Sequence, residues 1–120
     1  MADLPERDLS WLLDMLLSAQ DAEKFTHGIN KAEFLDSDLH QSAVIRALEV
    51  LGEAAGRVSR ETVAALPEIP WQDVTGMRHR LIHDYFDVNL ELVWEVVQEE
   101  IPLLIETLER IVPPEDGGSR

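Results

Sequence analysis

Residues 41–59 read QSAVIRALEVLGEAAGRVS. Val44, Ala47, Leu48, Leu51, Ala55 and Val58 recur at three- and four-residue steps, which at about 100° per residue aligns them in one apolar stripe of a helix. Arg46, Glu49, Glu53 and Arg57 form a stripe of mixed charge on the other side. Glu53 and Arg57 have i,i+4 spacing, a pair that contributes about 0.3–0.5 kcal/mol when exposed. Ser37 is placed to cap the helix at its start.

The same period runs outward in both directions. Leu9, Leu12, Leu13, Leu16 and Leu17 share a face, and Asp3 with Glu6 has capping-box spacing, so a helix is predicted over Leu4–Phe25. Gly28 breaks it, and Asn30 with Glu33 marks a second capping box for a short turn. Beyond residue 59, a short helix fits Arg60–Leu66 and stops at Pro67. Pro70 suits the first residue of the next helix, which carries Trp71, Val74, Met77, Leu81 and Ile82. Asn89 caps the last helix. There Val93, Val97, Ile101, Leu104, Leu108 and Ile111 have nearly heptad spacing opposite Glu91, Glu95, Glu99, Glu106 and Glu109. Pro102 removes one backbone donor and should kink this helix without ending it. No alternating pattern exceeds four residues, so no sheet is expected. The chain is predicted to be all-α, an antiparallel bundle of four to five helices.

At 120 residues, 45% of them apolar, the chain is long enough for one domain and can build a core. That domain is expected over residues 1–112, with PPEDGGSR (113–120) a disordered tail. The absence of cysteine excludes disulfides and thiolate chemistry, and a cytoplasmic location is expected. No apolar run reaches the roughly 20 residues of a membrane span, and no signal peptide is visible. Ten basic residues against 24 acidic ones give a net charge of −14, which repels nucleic acid at long range. Contact with phosphates must come from a local patch.

One such patch is Arg78-His79-Arg80-Leu81-Ile82-His83-Asp84-Tyr85, with two of the ten basic residues, two of the four histidines and a single acid. One reading is a solvated helix end. His79 and His83, four apart, also have a two-ligand metal spacing, but a metal site needs at least a third ligand and no HExxH-type context is present. On a straight helix His83 lies about 140° from Arg78. Bringing Arg78, His83 and Tyr85 together requires the helix to end near His83 or a second copy of the chain.

The stretch IPWQDVTGMRHRLIHDYFDVNLELVWEVV (69–97) resembles the HepT-like toxins of the HEPN superfamily, and residues 41–59 resemble them too. Their motif is Arg, four residues, His, one residue, Tyr, met here by Arg78, His83 and Tyr85. Position 79, most often Asn in that family, is His here. The resemblance spans about Asp8 to Val112. It implies a metal-independent ribonuclease that needs no cofactor and acts as the toxin of a toxin–antitoxin pair. The usual neutraliser is a minimal nucleotidyltransferase antitoxin, which in some members transfers AMP from ATP onto the motif tyrosine, here Tyr85. The alternative is an inactive RNA- or nucleotide-binding subunit of the same fold.

The residues suit that chemistry. Cleavage by the neighbouring 2′-hydroxyl needs a group near neutrality to move a proton, a role for His83. It also needs fixed positive charge at the phosphorane, a role for Arg78. His79 is a second proton shuttle or a surface residue. Arg80 holds a phosphate or is likewise plain surface. Glu53 either pairs with Arg57 or orients Arg78, and Arg46 on the same stripe could line the same cleft. Trp71 and Trp94 fit core packing. A homodimer with both Arg78–Tyr85 segments facing one cleft is expected, and RNA is the expected substrate.

Overall fold

The computed structural model describes residues 4–84 and 87–113. Helix α1 spans Glu6–Lys24, α2 Lys31–Leu35, α3 Asp38–Gly56, α4 Arg60–Ala65, α5 Trp71–Thr75 and α6 Met77–Leu81. Two short strands follow, β1 (Ile82–Asp84) and β2 (Asp87–Val88). Helix α7 (Leu90–Glu95) then runs through a π-helical turn, Val96–Glu100, into α8 (Ile101–Ile111). The architecture is all-α, with α1 packed most extensively on α3 and α8.

The local signals for the helix starts act where the sequence puts them. Asn30 Oδ1 accepts from the Glu33 amide at 2.8 Å, and Glu33 Oε1 accepts from the Asn30 amide at 2.9 Å, a complete capping box. Ser37 Oγ accepts from the His40 amide, and Asn89 Oδ1 from the Leu92 amide. At α1 the N-cap position is Pro5, and Asp3 lies outside the described residues. Leu12, Met15, Leu48, Leu51, Ile101 and Leu108 are fully buried, joining the stripes of α1, α3 and α8 in one core. Gly52 lets α5 approach α3: a Cβ there would stand 3.0 Å from the Val74 carbonyl oxygen.

One tie had no local signature. Asp8, in the first turn of α1 and only 3% exposed, accepts from Ser59 Oγ and Thr62 Oγ1, both at 2.5 Å, and from the Ser59 amide at 3.1 Å. Burial alone pushes its carboxyl up. The hydrogen bonds from Ser59 and Thr62, with the nearby charge of Arg7, outweigh burial and hold it below the ordinary value.

Two expectations need correction. The helix predicted from Pro70 through Ile82 is two: it breaks at Gly76 and ends at Leu81, with Ile82 extended at φ −118°, ψ 112°. The expected absence of any sheet gives way to a two-stranded antiparallel pair, Ile82 opposite Val88 with an irregularity before Asp84. Strands of three and two residues are too short to show alternation. At the last helix, Pro102 sits in the first turn of α8, directly after the π-helical turn. Within a continuous α-helix its ring would collide with the carbonyl four residues back; the wider turn relieves that collision without ending the helix.

Candidate active site

Helix α3 contributes one wall of an open cleft of about 280 Å³, lined by Arg46, Glu49, Gly52 and Glu53 from α3, Thr75 from α5 and Arg78 from α6. Arg46, Glu49 and Glu53 follow one another at three- and four-residue steps, so they run in file along the helix. The apolar stripe of α3 is spent on the core, which turns this polar file outward. Gly52 stands within it and brings the second wall close.

Arg78 reaches across the cleft. Its Nη1 donates to Glu49 Oε2, an ion pair between a guanidinium 71% exposed and a carboxylate 23% exposed. One arm of the fork is held and the others face solvent, so the group is positioned yet open to an anion. The orienting carboxylate is thus Glu49, one helical turn before Glu53; Glu53 lines the same cleft. Nor does Glu53 pair with Arg57, whose guanidinium carbon lies 5.3 Å above the Trp11 ring centroid. Glu49 was visible on the charged stripe, but periodicity could not choose between two carboxylates one turn apart.

Arg80 is engaged elsewhere. Its Nη1 and Nη2 donate to Glu100 Oε1 and Oε2 at 2.9 and 2.7 Å, a two-pronged pair that ties α6 to the π-helical turn. The Glu100 hydrogen bonds push the Arg80 pKa up, against burial, with further help from the charges of Glu100 and Asp73. Both prongs of the fork that a phosphate would use are taken within the chain.

His79 and His83 are both exposed, and neither lines the Arg78 cleft. Because α6 ends at Leu81, the i,i+4 relation that would aim both imidazoles at one metal is lost at Ile82. Among the described residues no group of three or more His, Asp or Glu side chains is arranged to hold a metal. The same ending meets one of the two conditions for gathering Arg78 and His83, since no straight helix separates them. Tyr85 lies outside the described residues. The tryptophans pack: Trp71 Nε1 donates to the Leu66 carbonyl at 2.9 Å, and Trp94 stands 5.4 Å from Phe34, ring to ring. No helix among the described residues is long and apolar enough to cross a membrane.

A family model described as "Ribonuclease HepT-like" matches residues 15–111, a span that includes both walls of the cleft and the Arg78–His83 segment. The chain belongs to the HepT-like ribonuclease family. Its helical architecture is consistent with that of HepT-like HEPN proteins. A Methanocaldococcus jannaschii relative named "Putative RNase MJ0127" is 35% identical over 115 residues, 95% of each chain. A second from the same organism, "Putative RNase MJ1380", is 36% identical over 88% of this chain and 98% of its own. A Thermococcus cleftensis protein named "Probable ribonuclease HepT" is 39% identical over 84% of this chain and 92% of its own. No solved structure matches at comparable strength. The HepT-like match covers Arg46, Glu49 and Arg78 together.

Proposed function

We propose that this HepT-like chain is a metal-independent endoribonuclease, and that it serves as the toxin of a toxin–antitoxin pair. The observation that carries the reading is Arg78: an exposed guanidinium held in place by Glu49 at a cleft, with donors left for a phosphate. The names of the relatives point the same way.

In this reading an RNA phosphate docks on Arg78. The 2′-oxygen attacks phosphorus, the bond to the 5′-oxygen breaks, and charge builds on the phosphoryl oxygens. Arg78 neutralises that charge, with Glu49 fixing its position. His83 moves the proton, an imidazole being suited to both directions near neutral pH. The products are a 2′,3′-cyclic phosphate and a 5′-hydroxyl. A twofold dimer sets two such clefts together and concentrates positive charge locally in a particle of net charge −14 per chain. The substrate-side partner is RNA, the workplace is the cytoplasm, and the controlling partner is a nucleotidyltransferase. That partner transfers AMP from ATP to the Tyr85 hydroxyl and releases pyrophosphate. The attached phosphate adds negative charge and bulk to the Arg78–Tyr85 segment and so opposes RNA.

The test is cleavage of RNA by the purified chain in EDTA, with 2′,3′-cyclic ends detected and with light scattering on the same sample. Arg78→Ala and His83→Ala should each lower the rate about a hundredfold or more at unchanged helicity. A chain that binds RNA without cutting it, in any metal condition, would instead be a binding subunit. Co-expression with the partner and intact mass should show increments of whole AMP, abolished by Tyr85→Phe.

A further inference from the structure

Carboxylates in an RNA cleft require an explanation, because the strand presents acceptor oxygens along its whole backbone. Glu49 has one: it binds Arg78. Glu53 has none among the described residues. It is exposed, it makes no ion pair among the described residues, and its i+4 neighbour Arg57 lies over Trp11. The Thr75 hydroxyl in the same lining donates to the Trp71 carbonyl at 2.8 Å and so offers Glu53 nothing. A nucleotide bound at Arg78 must therefore bring donors of its own, or leave Glu53 facing its acceptors.

We propose that Glu53 makes this cleft select a guanine base beside the phosphate held by Arg78, an assignment that rests on the ribonuclease reading above. An ionised carboxylate has two acceptor oxygens and no donor. Guanine alone among the four bases presents two donors side by side, N1–H and the N2 amino group. Adenine and cytosine each set one amino donor beside a ring acceptor, and uracil has a single N–H between two carbonyls. Only guanine satisfies both oxygens of Glu53 with no lone pair set against another.

The cleft is laid out for this. Along α3, at about 1.5 Å per residue, Glu53 stands about 6 Å beyond Glu49 and Arg46 about 4.5 Å before it. Arg78 sits opposite Glu49, between the two. The phosphate at Arg78 thus has a base reader on one side and a second guanidinium, for the adjoining phosphate, on the other. A well-made two-pronged base contact discriminates by tenfold or more.

The experiment uses oligouridylates that carry one guanosine, adenosine or cytidine, and the full chain made inactive by His83→Ala. Fluorescence anisotropy should show the guanosine oligomer bound about tenfold more tightly than the other two. Adding Glu53→Gln should abolish that preference and raise the affinity for the adenosine and cytidine oligomers relative to guanosine, since Gln offers one donor beside one acceptor; a merely structural role would not change which base is preferred. Equal affinities, or a guanosine preference that survives Glu53→Gln, would overturn the proposal. The unmutated chain is run on the same oligomers. Cleavage without guanosine preference defeats the Glu53 assignment alone, whereas guanosine-selective binding without cleavage defeats the ribonuclease reading and leaves the base reader standing.

Discussion

Helix α3 runs uninterrupted from Asp38 to Gly56, whereas a stretch of nearly equal length, Trp71 to Val88, is cut into α5, α6 and two strands. Both carry apolar residues at helical spacing. In α3 the period and the backbone agree: Val44, Ala47, Leu48 and Leu51 are buried, and Ser37 closes the start. In the second stretch Val74, Met77 and Leu81 are just as buried, yet the backbone is broken between them. A periodic stripe reports which side chains meet the core. It does not report whether the peptide groups beneath form one ladder, because short helices joined by a tight turn can present the same stripe.

The comparison can be broken most severely in α3. Leu51→Ala removes a fully buried side chain at the centre of the core and should cost about 2–5 kcal/mol in urea unfolding. A smaller effect is expected at Gly76, where the second stretch turns: an added Cβ would stand 2.9 Å from the Gln72 carbonyl oxygen. Gly76→Ala should therefore cost about 1–3 kcal/mol despite the better helix propensity of Ala. If it stabilises, the break at Gly76 is only a weak local preference.

Asp8 sharpens the comparison by a tie that neither stretch contains. Asp8→Ala leaves the Ser59 and Thr62 donors without their acceptor and should cost about 1–3 kcal/mol at pH 7. The folded carboxyl lies below its ordinary value of 3.8. Its contribution is therefore fully present above that value and is lost as pH falls through the lower, folded pKa. The gap between the unfolding curves of the two proteins should begin to narrow only below about pH 3.8. The smallest effect belongs to Ser37→Ala, which removes one cap from α3 and should cost about 1 kcal/mol.

What could be read in the sequence was what depends on near neighbours. The caps at Asn30, Ser37 and Asn89 form within three residues, and their partners could be named from spacing alone. The apolar stripes found their core because burial follows period. The Arg78, His83 and Tyr85 motif was legible as a pattern. Legibility failed where two segments meet. Arg78 pairs with Glu49 and not with Glu53 where α6 packs on α3, and Arg80 found Glu100 twenty residues on. Asp8 reached Ser59 across 51 positions. The strands after α6 were hidden by their brevity, and Ile82 passed for the next helical residue because its apolar side chain fits either backbone.

The turn at Val96–Glu100 bears on how this chain can change length. Val93, Val97 and Ile101 are each four apart and all buried, although four residues of α-helix overshoot a full circle by about 40° per step. A π-helical turn fits more residues into a revolution and takes up that drift, acting as a vernier between α7 and α8. Removing one residue from it, such as the exposed Gln98, would restore tighter winding and bring the Pro102 ring back against a carbonyl. Proline and turn are therefore locked together. A viable shortening of this helix must change both at once, so the register of the last helix can shift only by a paired step.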